Sequence, residues 1–184
     1  MGREVESARI ALPPQAWTPL LNDDSQVQCM AALPDEVAKF LSGKRFAVAG
    51  VSRQPGRAAN AVFRKLRDSG REVFAVNPNA VQVEGVRCHP DLAAIPGPID
   101  GMVIATHPRH AADLVRQCAA HGVGRVWLHR SFGEGSVSEE AVREAAAHNI
   151  ACIAGGCPLM YCEPVDLAHR CMRWWLRRGG RVPG

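Results

Sequence analysis

From Arg45 onward the chain alternates short apolar runs with longer stretches of helical period, and that alternation limits its fold more than any other feature. The apolar runs are Arg45-Phe46-Ala47-Val48-Ala49-Gly50, Glu72-Val73-Phe74-Ala75-Val76, Gly101-Met102-Val103-Ile104-Ala105, Arg125-Val126-Trp127-Leu128 and Asn149-Ile150-Ala151-Cys152-Ile153-Ala154. Each is rich in Val, Ala or Ile and apolar at successive positions, so both faces of the strand must be covered. The stretches between them carry apolar residues at helical spacing: 57–69, 110–121 and 138–148, with 35–41 before the first strand and 165–176 after the last. Gly70, Gly122 and Gly179 stand where these helices stop. Strands covered on both faces and separated by helices make a parallel sheet between two helical layers.

The fold class expected is therefore α/β: a Rossmann-like, doubly wound, mainly parallel five-stranded sheet with helices on both faces, its crossovers right-handed. A length of 184 residues with 47% hydrophobic content supports one such domain. Residues 35–184 are assigned to it. Residues 1–34, punctuated by Pro13, Pro14, Pro19 and Pro34, read as an N-terminal arm.

Charge adds little. Twenty-two Lys+Arg against 18 Asp+Glu give a formal net charge of +4, which suits an anionic ligand without calling for nucleic acid. The arginines at 170, 173, 177, 178 and 181 cluster at a helix end, where cations complement the helix dipole. No apolar run is long enough to span a membrane. The seven cysteines and the absence of a secretory h-region point to free thiols in the cytoplasm.

A doubly wound sheet binds ligands at the carboxyl ends of its strands, which names the loops to inspect before any function is assumed. The first is Gly50-Val51-Ser52-Arg53-Gln54-Pro55-Gly56-Arg57. Gly50 permits a tight turn, Ser52 offers a hydroxyl, and the amides opening the next helix favour an anion. Arg53 and Arg57 add positive charge. After Gly50 the next glycine is Gly56, so the G-x-G-x-x-G dinucleotide fingerprint is absent. The second strand ends in Asn77-Pro78-Asn79 rather than in the acid that accepts ribose hydroxyls in NAD sites. Asn77 and Pro78 suit the edge and face of an adenine. The third strand leads into Thr106-His107-Pro108-Arg109-His110, where Thr106 either caps the helix or touches ligand and Arg109 and His110 are placed to meet phosphate. An ordinary capped helix start is the alternative for that segment. The glycine-rich stretch 129–136, which includes Ser131, follows the fourth strand.

Taken together, Gly50-Val51-Ser52-Arg53, Val76-Asn77-Pro78, Val126-Trp127-Leu128 and Gly156-Cys157-Pro158 resemble the CoA-binding domain family. These are small Rossmann-like proteins similar to the CoA-binding domain of the succinyl-CoA synthetase alpha subunit. The resemblance spans roughly residues 36–175. It implies a coenzyme A or acyl-CoA ligand, with Gly50, Val51, Ser52, Arg53 and Arg57 around its phosphates. It also implies Asn77, Pro78, Thr106 and Pro108 beside its adenosine. The stretch around Ser131 is expected near the pantetheine. Many relatives carry Gln and Gly after the Trp-Leu pair, where this chain has His129, Arg130 and Ser131. The ligase relatives carry a second domain with a phosphorylated histidine. The sequence ends at Gly184 without it, so ligase chemistry is not expected.

No Ser/His/Asp or Cys/His/Asn set can be placed at one strand-end cluster, and no catalytic residue is assigned. Cys152, Cys157 and Cys162 lack the tight Cys-x-x-Cys pair of a metal site, and no metal is assigned. Cys157 lies at a strand-end loop and is a candidate redox thiol. Trp174 and Trp175 cannot both point inward from one helix, which suggests a homodimer through the C-terminal helix. Two functions stay open at this point: a non-catalytic module that binds or senses CoA, and an NAD(P)-dependent oxidoreductase or redox-sensing Rossmann protein.

Overall fold

The computed structural model describes residues 33–131, 135–180 and 182. Apart from Leu33 and Pro34, the expected arm lies outside them. The elements run α1 (Asp35–Leu41), β1 (Arg45–Ala49), α2 (Ala58–Asp68), β2 (Glu72–Val76), β3 (Gln82–Val83), β4 (Val86–His89), β5 (Gly101–Ile104), α3 (Ala111–Ala120), β6 (Arg125–Leu128), α4 (Glu139–Ala147), β7 (Ala151–Ala154) and α5 (Leu167–Arg178). Short 3₁₀ turns at Pro108–His110 and Pro158–Met160 precede α3 and α5.

The sheet has seven strands in the order β3-β4-β2-β1-β5-β6-β7, not the five that the sequence suggests. The two extra strands form a hairpin between β2 and β5. They are two and four residues long, too short to show an alternating pattern. β3 pairs antiparallel with β4, and β4 runs parallel to β2. Every other neighbouring pair is parallel. Numbered in chain order, the six parallel strands fall as 3-2-1-4-5-6, the doubly wound order whose direction reverses between β1 and β5.

Strand periodicity divides the core. Phe46 and Val48 of β1, Val103 of β5 and Trp127 of β6 lie on one face, against Val37 and Phe40 of α1 and Ala59, Val62, Phe63 and Leu66 of α2. Ala47, Ala49, Met102, Ile104, Val126 and Leu128 lie on the other, under Ala111, Ala112, Val115 and Cys118 of α3 and Ala141 and Ala145 of α4. The last helix is expected over 165–176 and is found at Leu167–Arg178. Its start is fixed by the Asp166 carboxylate, which accepts from the His169 amide at 2.9 Å.

Candidate functional site

Chains leaving β1 and β5 turn to opposite faces of the sheet, and a crevice opens between them. Gly50 sits at its floor with φ of 95°. A Cβ there would lie 2.3 Å from the Ala105 carbonyl oxygen, so both the left-handed backbone and the close strand approach require glycine. The crevice holds two adjoining cavities. The larger, of about 720 Å³, is lined by Gly50, Ser52, Arg53, Arg57, Asn77 and Thr106 among others. The smaller, of about 310 Å³, shares Gly50, Asn77 and Thr106 and adds Pro78, Pro90 and Leu114.

The loop from Gly50 to Arg57 is anchored from beneath. Asn60, 1% exposed, accepts from the Ser52 amide through Oδ1 (3.1 Å) and donates to the Ser52 carbonyl through Nδ2 (2.7 Å). The Ser52 hydroxyl accepts from the Gln54 amide (3.2 Å). Val51 is fully buried and lines neither cavity; its carbonyl accepts from Asn77 Nδ2 (2.8 Å). Asn77 Oδ1 accepts from the Asn79 amide (2.9 Å), so this carboxamide braces the two loops against each other.

Helix α2 opens at this loop. Arg57 occupies its N-cap position with extended backbone and no side-chain cap bond, and the first turn carries no acid. Ala58 and Ala59 line the cavity, and amides in a helix's first turn have no intrahelical acceptor. Arg57 Nε donates to Gln54 Oε1 (2.8 Å). Among the described residues neither Arg53 nor Arg57 pairs with a carboxylate, whereas Arg64, about two helical turns beyond Arg57, is bound to Glu84 (2.6 Å). The mouth of the loop is thus left positive.

Across the crevice, the Thr106 carbonyl accepts from the buried Ser136 hydroxyl (2.6 Å), which fixes this segment from the far side. His107, not Thr106, caps the turn that follows: its Nδ1 accepts from the Arg109 amide (3.3 Å). Thr106 is left facing both cavities. Pro108 begins the 3₁₀ turn. Arg109 is exposed and its Nε donates to His110 Nε2 (3.0 Å). Neither Pro108 nor Arg109 lines the two cavities.

Ser131 stands apart from these residues. Its hydroxyl lies 3.3 Å from His129 Nε2. His129 is 7% exposed, and burial lowers its pKa to about 4. Cys157 lies beside Ser131, and burial pushes its thiol up to about 12, far from the range of a reactive thiolate. Residues 132–134 of the glycine-rich stretch lie outside the described residues.

Asn60, Glu84, His107 and Ser136 were not singled out from sequence. Asn60 alone left a trace there: a polar residue in the first turn of α2, between Ala59 and the apolar positions that continue that face.

Comparison with known proteins gives the family. Residues 44–163 match the family model described as "CoA binding domain". The chain belongs to the CoA-binding domain family. The match spans β1 to β7, and so includes every loop just described. A curated relative is the alpha subunit of an ADP-forming acetate–CoA ligase II from Pyrococcus furiosus, 31% identical over 57% of this chain and 23% of its own length. An ADP-forming acetate–CoA ligase I from Archaeoglobus fulgidus is 28% identical over 62% of this chain and 18% of its length. The chain thus spans about a fifth of these relatives. Among solved structures, a hypothetical protein from Pyrococcus horikoshii superposes with a TM-score of 0.62 at 26% identity, covering 69% of this chain and 92% of that one. In sequence the chain is thus similar to part of these ligases, and in structure to nearly the whole of that hypothetical protein. Among its described residues no helix is long and apolar enough to cross a membrane.

Proposed function

We propose that this domain binds coenzyme A or an acyl-CoA in the crevice between β1 and β5, as a binding or sensing module rather than as an enzyme. The observation that carries the reading is the unpaired positive mouth of the first loop. Arg53, Arg57 and the first-turn residues Ala58 and Ala59 of α2 line one cavity, and among the described residues no carboxylate pairs with either arginine. A pyrophosphate suits that arrangement, because charged donors and helix-terminal amides both favour an anion. The neighbouring cavity has Pro78, Pro90 and Leu114 beside the polar Asn77, Asp113 and Gln117, a mixture of apolar surface and hydrogen-bonding groups that suits an adenine. The name of the family and of the ligase relatives supports the choice of CoA over other nucleotides.

The oxidoreductase reading is weaker, since β2 ends in Asn77 rather than an acid and the loop lacks the glycine fingerprint. The experiment is a thermal-shift series with CoA, acetyl-CoA, NAD, NADP and ATP, in which a tight ligand raises the midpoint by mass action. CoA or acetyl-CoA should shift it most. A shift with NAD or NADP and none with CoA would falsify the reading. In the folded Arg57→Glu protein CoA affinity should fall roughly tenfold or more, since a like charge then faces phosphate. Unchanged affinity would remove Arg57 from the site.

We also propose that the exposed faces of Trp174 (59%) and Trp175 (55%) on α5 form a homodimer contact.

A further inference from the structure

The hairpin turn between β3 and β4 contains a residue in the wrong conformation for its type. Glu84 has φ of 50° and Gly85 φ of 76°, the pair of left-handed residues that a two-residue hairpin of this twist requires. Asn or Asp is the usual first residue of such a turn, and glutamate seldom adopts that backbone. Strain of this sort persists where surrounding contacts over-determine it. Those contacts are specific. Glu84 Oε1 accepts from Asn60 Nδ2 and from Arg64 Nη1, both at 2.6 Å. The side chain is 13% exposed, and its carboxyl lies below the ordinary glutamate range, chiefly through the Asn60 hydrogen bond.

Asn60 Nδ2 thus has two acceptors, the Ser52 carbonyl and the Glu84 carboxylate, which fill both of its N–H groups. This orientation leaves Oδ1 free to accept from the Ser52 amide. Without Glu84 one N–H would lose its partner, and the carboxamide would be held by its two bonds to Ser52 alone. Glu84 also holds Arg64, which donates through both terminal nitrogens to the Pro55 carbonyl of the same loop (3.3 Å each).

We infer that Glu84 is a positioning residue for the phosphate-facing loop: from the hairpin tip, and through Asn60, it fixes the Ser52 peptide in the orientation that presents the loop to an anion. The role in ligand binding rests on the CoA reading above; the role in ordering the loop does not. Two ideas about Glu84 give opposite signs. As a mere charge, it repels an anion and neutralises Arg64, so its removal tightens anion binding. As a positioning group, its removal weakens binding.

The test compares wild type, Glu84→Ala and Glu84→Gln in two ways: amide hydrogen exchange of the ligand-free proteins, and CoA affinity by calorimetric titration. In Glu84→Ala the Ser52 and Gln54 amides should exchange faster while those of β1 keep their protection, and CoA should bind roughly tenfold more weakly, the scale of one hydrogen bond to a charged group. Glu84→Gln retains an acceptor for Asn60 and should return both readouts most of the way to wild type. Unchanged exchange at Ser52 in Glu84→Ala, or CoA binding as tight as in wild type or tighter, would overturn the inference. So would a Glu84→Gln protein as impaired as the alanine variant. Should Glu84→Ala not fold, Glu84→Asn, which suits the left-handed turn and is one methylene shorter, takes its place under the same criteria. If wild type itself does not bind CoA, the functional reading falls, and exchange at Ser52 still decides the role of Glu84.

Discussion

The carboxamide of Asn60 grips one peptide unit from both sides, accepting from the Ser52 N–H and donating to the Ser52 carbonyl. A helix residue thereby fixes the loop that precedes its own helix. The consequence is local and chemical. A loop held in this way presents its remaining amides and arginines without first having to be ordered, and ordering is a cost that weakens binding. The same logic links Asn77 to Val51 and Ser136 to Thr106, so three buried or half-buried side chains brace the three loop segments around the crevice.

Gly50 should tolerate no side chain. Alanine there meets the Ala105 carbonyl at 2.3 Å and must adopt φ of 95°, and both neighbours are backbone that cannot move aside. A loss of about 2 kcal/mol or more is expected in urea unfolding of Gly50→Ala. Gly56, in the same loop, has nothing within 4 Å of a Cβ and no left-handed φ, so Gly56→Ala should change stability by roughly 0.5 kcal/mol or less. Equal effects at the two positions would contradict the strand-approach argument.

Acid should weaken the fold partly through His129. Its pKa is lowered from 6.5 to about 4 by burial, so the unfolded chain takes up a proton in a range where the folded one does not. The stability tied to the neutral imidazole is complete above about pH 6.5 and is lost as pH falls toward 4, by at most roughly 3 kcal/mol. His129→Gln should flatten the stability curve between those limits. Parallel curves for the two proteins would show that His129 does not titrate as its burial implies.

Thiol chemistry should follow burial. Cys171 is exposed on α5, whereas Cys157 is 3% exposed with its thiol pushed up to about 12. Alkylation of the native protein at neutral pH, mapped by peptide mass spectrometry, should label Cys171 rapidly and Cys157 only on unfolding. Prompt labelling of native Cys157 would revive the redox reading of the strand-end loop.

The α5 face should report on self-association. Exchanging Trp174 and Trp175 together for alanine removes two exposed aromatic rings and leaves the buried Leu176 in place. Sedimentation equilibrium should then show wild type as a dimer and the double variant as a monomer, with similar melting temperatures. A monomeric wild type at high micromolar concentration would dispose of the dimer.

The course of the central strands could be read in the residues because Phe46 to Ala49, Met102 to Ile104 and Val126 to Leu128 are apolar on both faces, a pattern that only a covered parallel strand satisfies. That Gly50 and the arginines after it stand at the crevice was legible for a related reason: a doubly wound sheet opens its crevice at the carboxyl ends of its strands, and the loop there has few residues to choose from. The β3–β4 hairpin was not, since strands of two and four residues carry no period. Nor were the partners of Asn60 and Glu84, which stand 24 residues apart and meet only because the hairpin folds back over α2. Arginine makes the same point, for Arg57 and Arg64 have identical chemistry, yet one donates to the neutral Gln54 and the other is tied to the carboxylate of Glu84. Periodicity and residue type act along the chain and are written in it, whereas the pairing of polar groups depends on distances that exist only after the chain has packed.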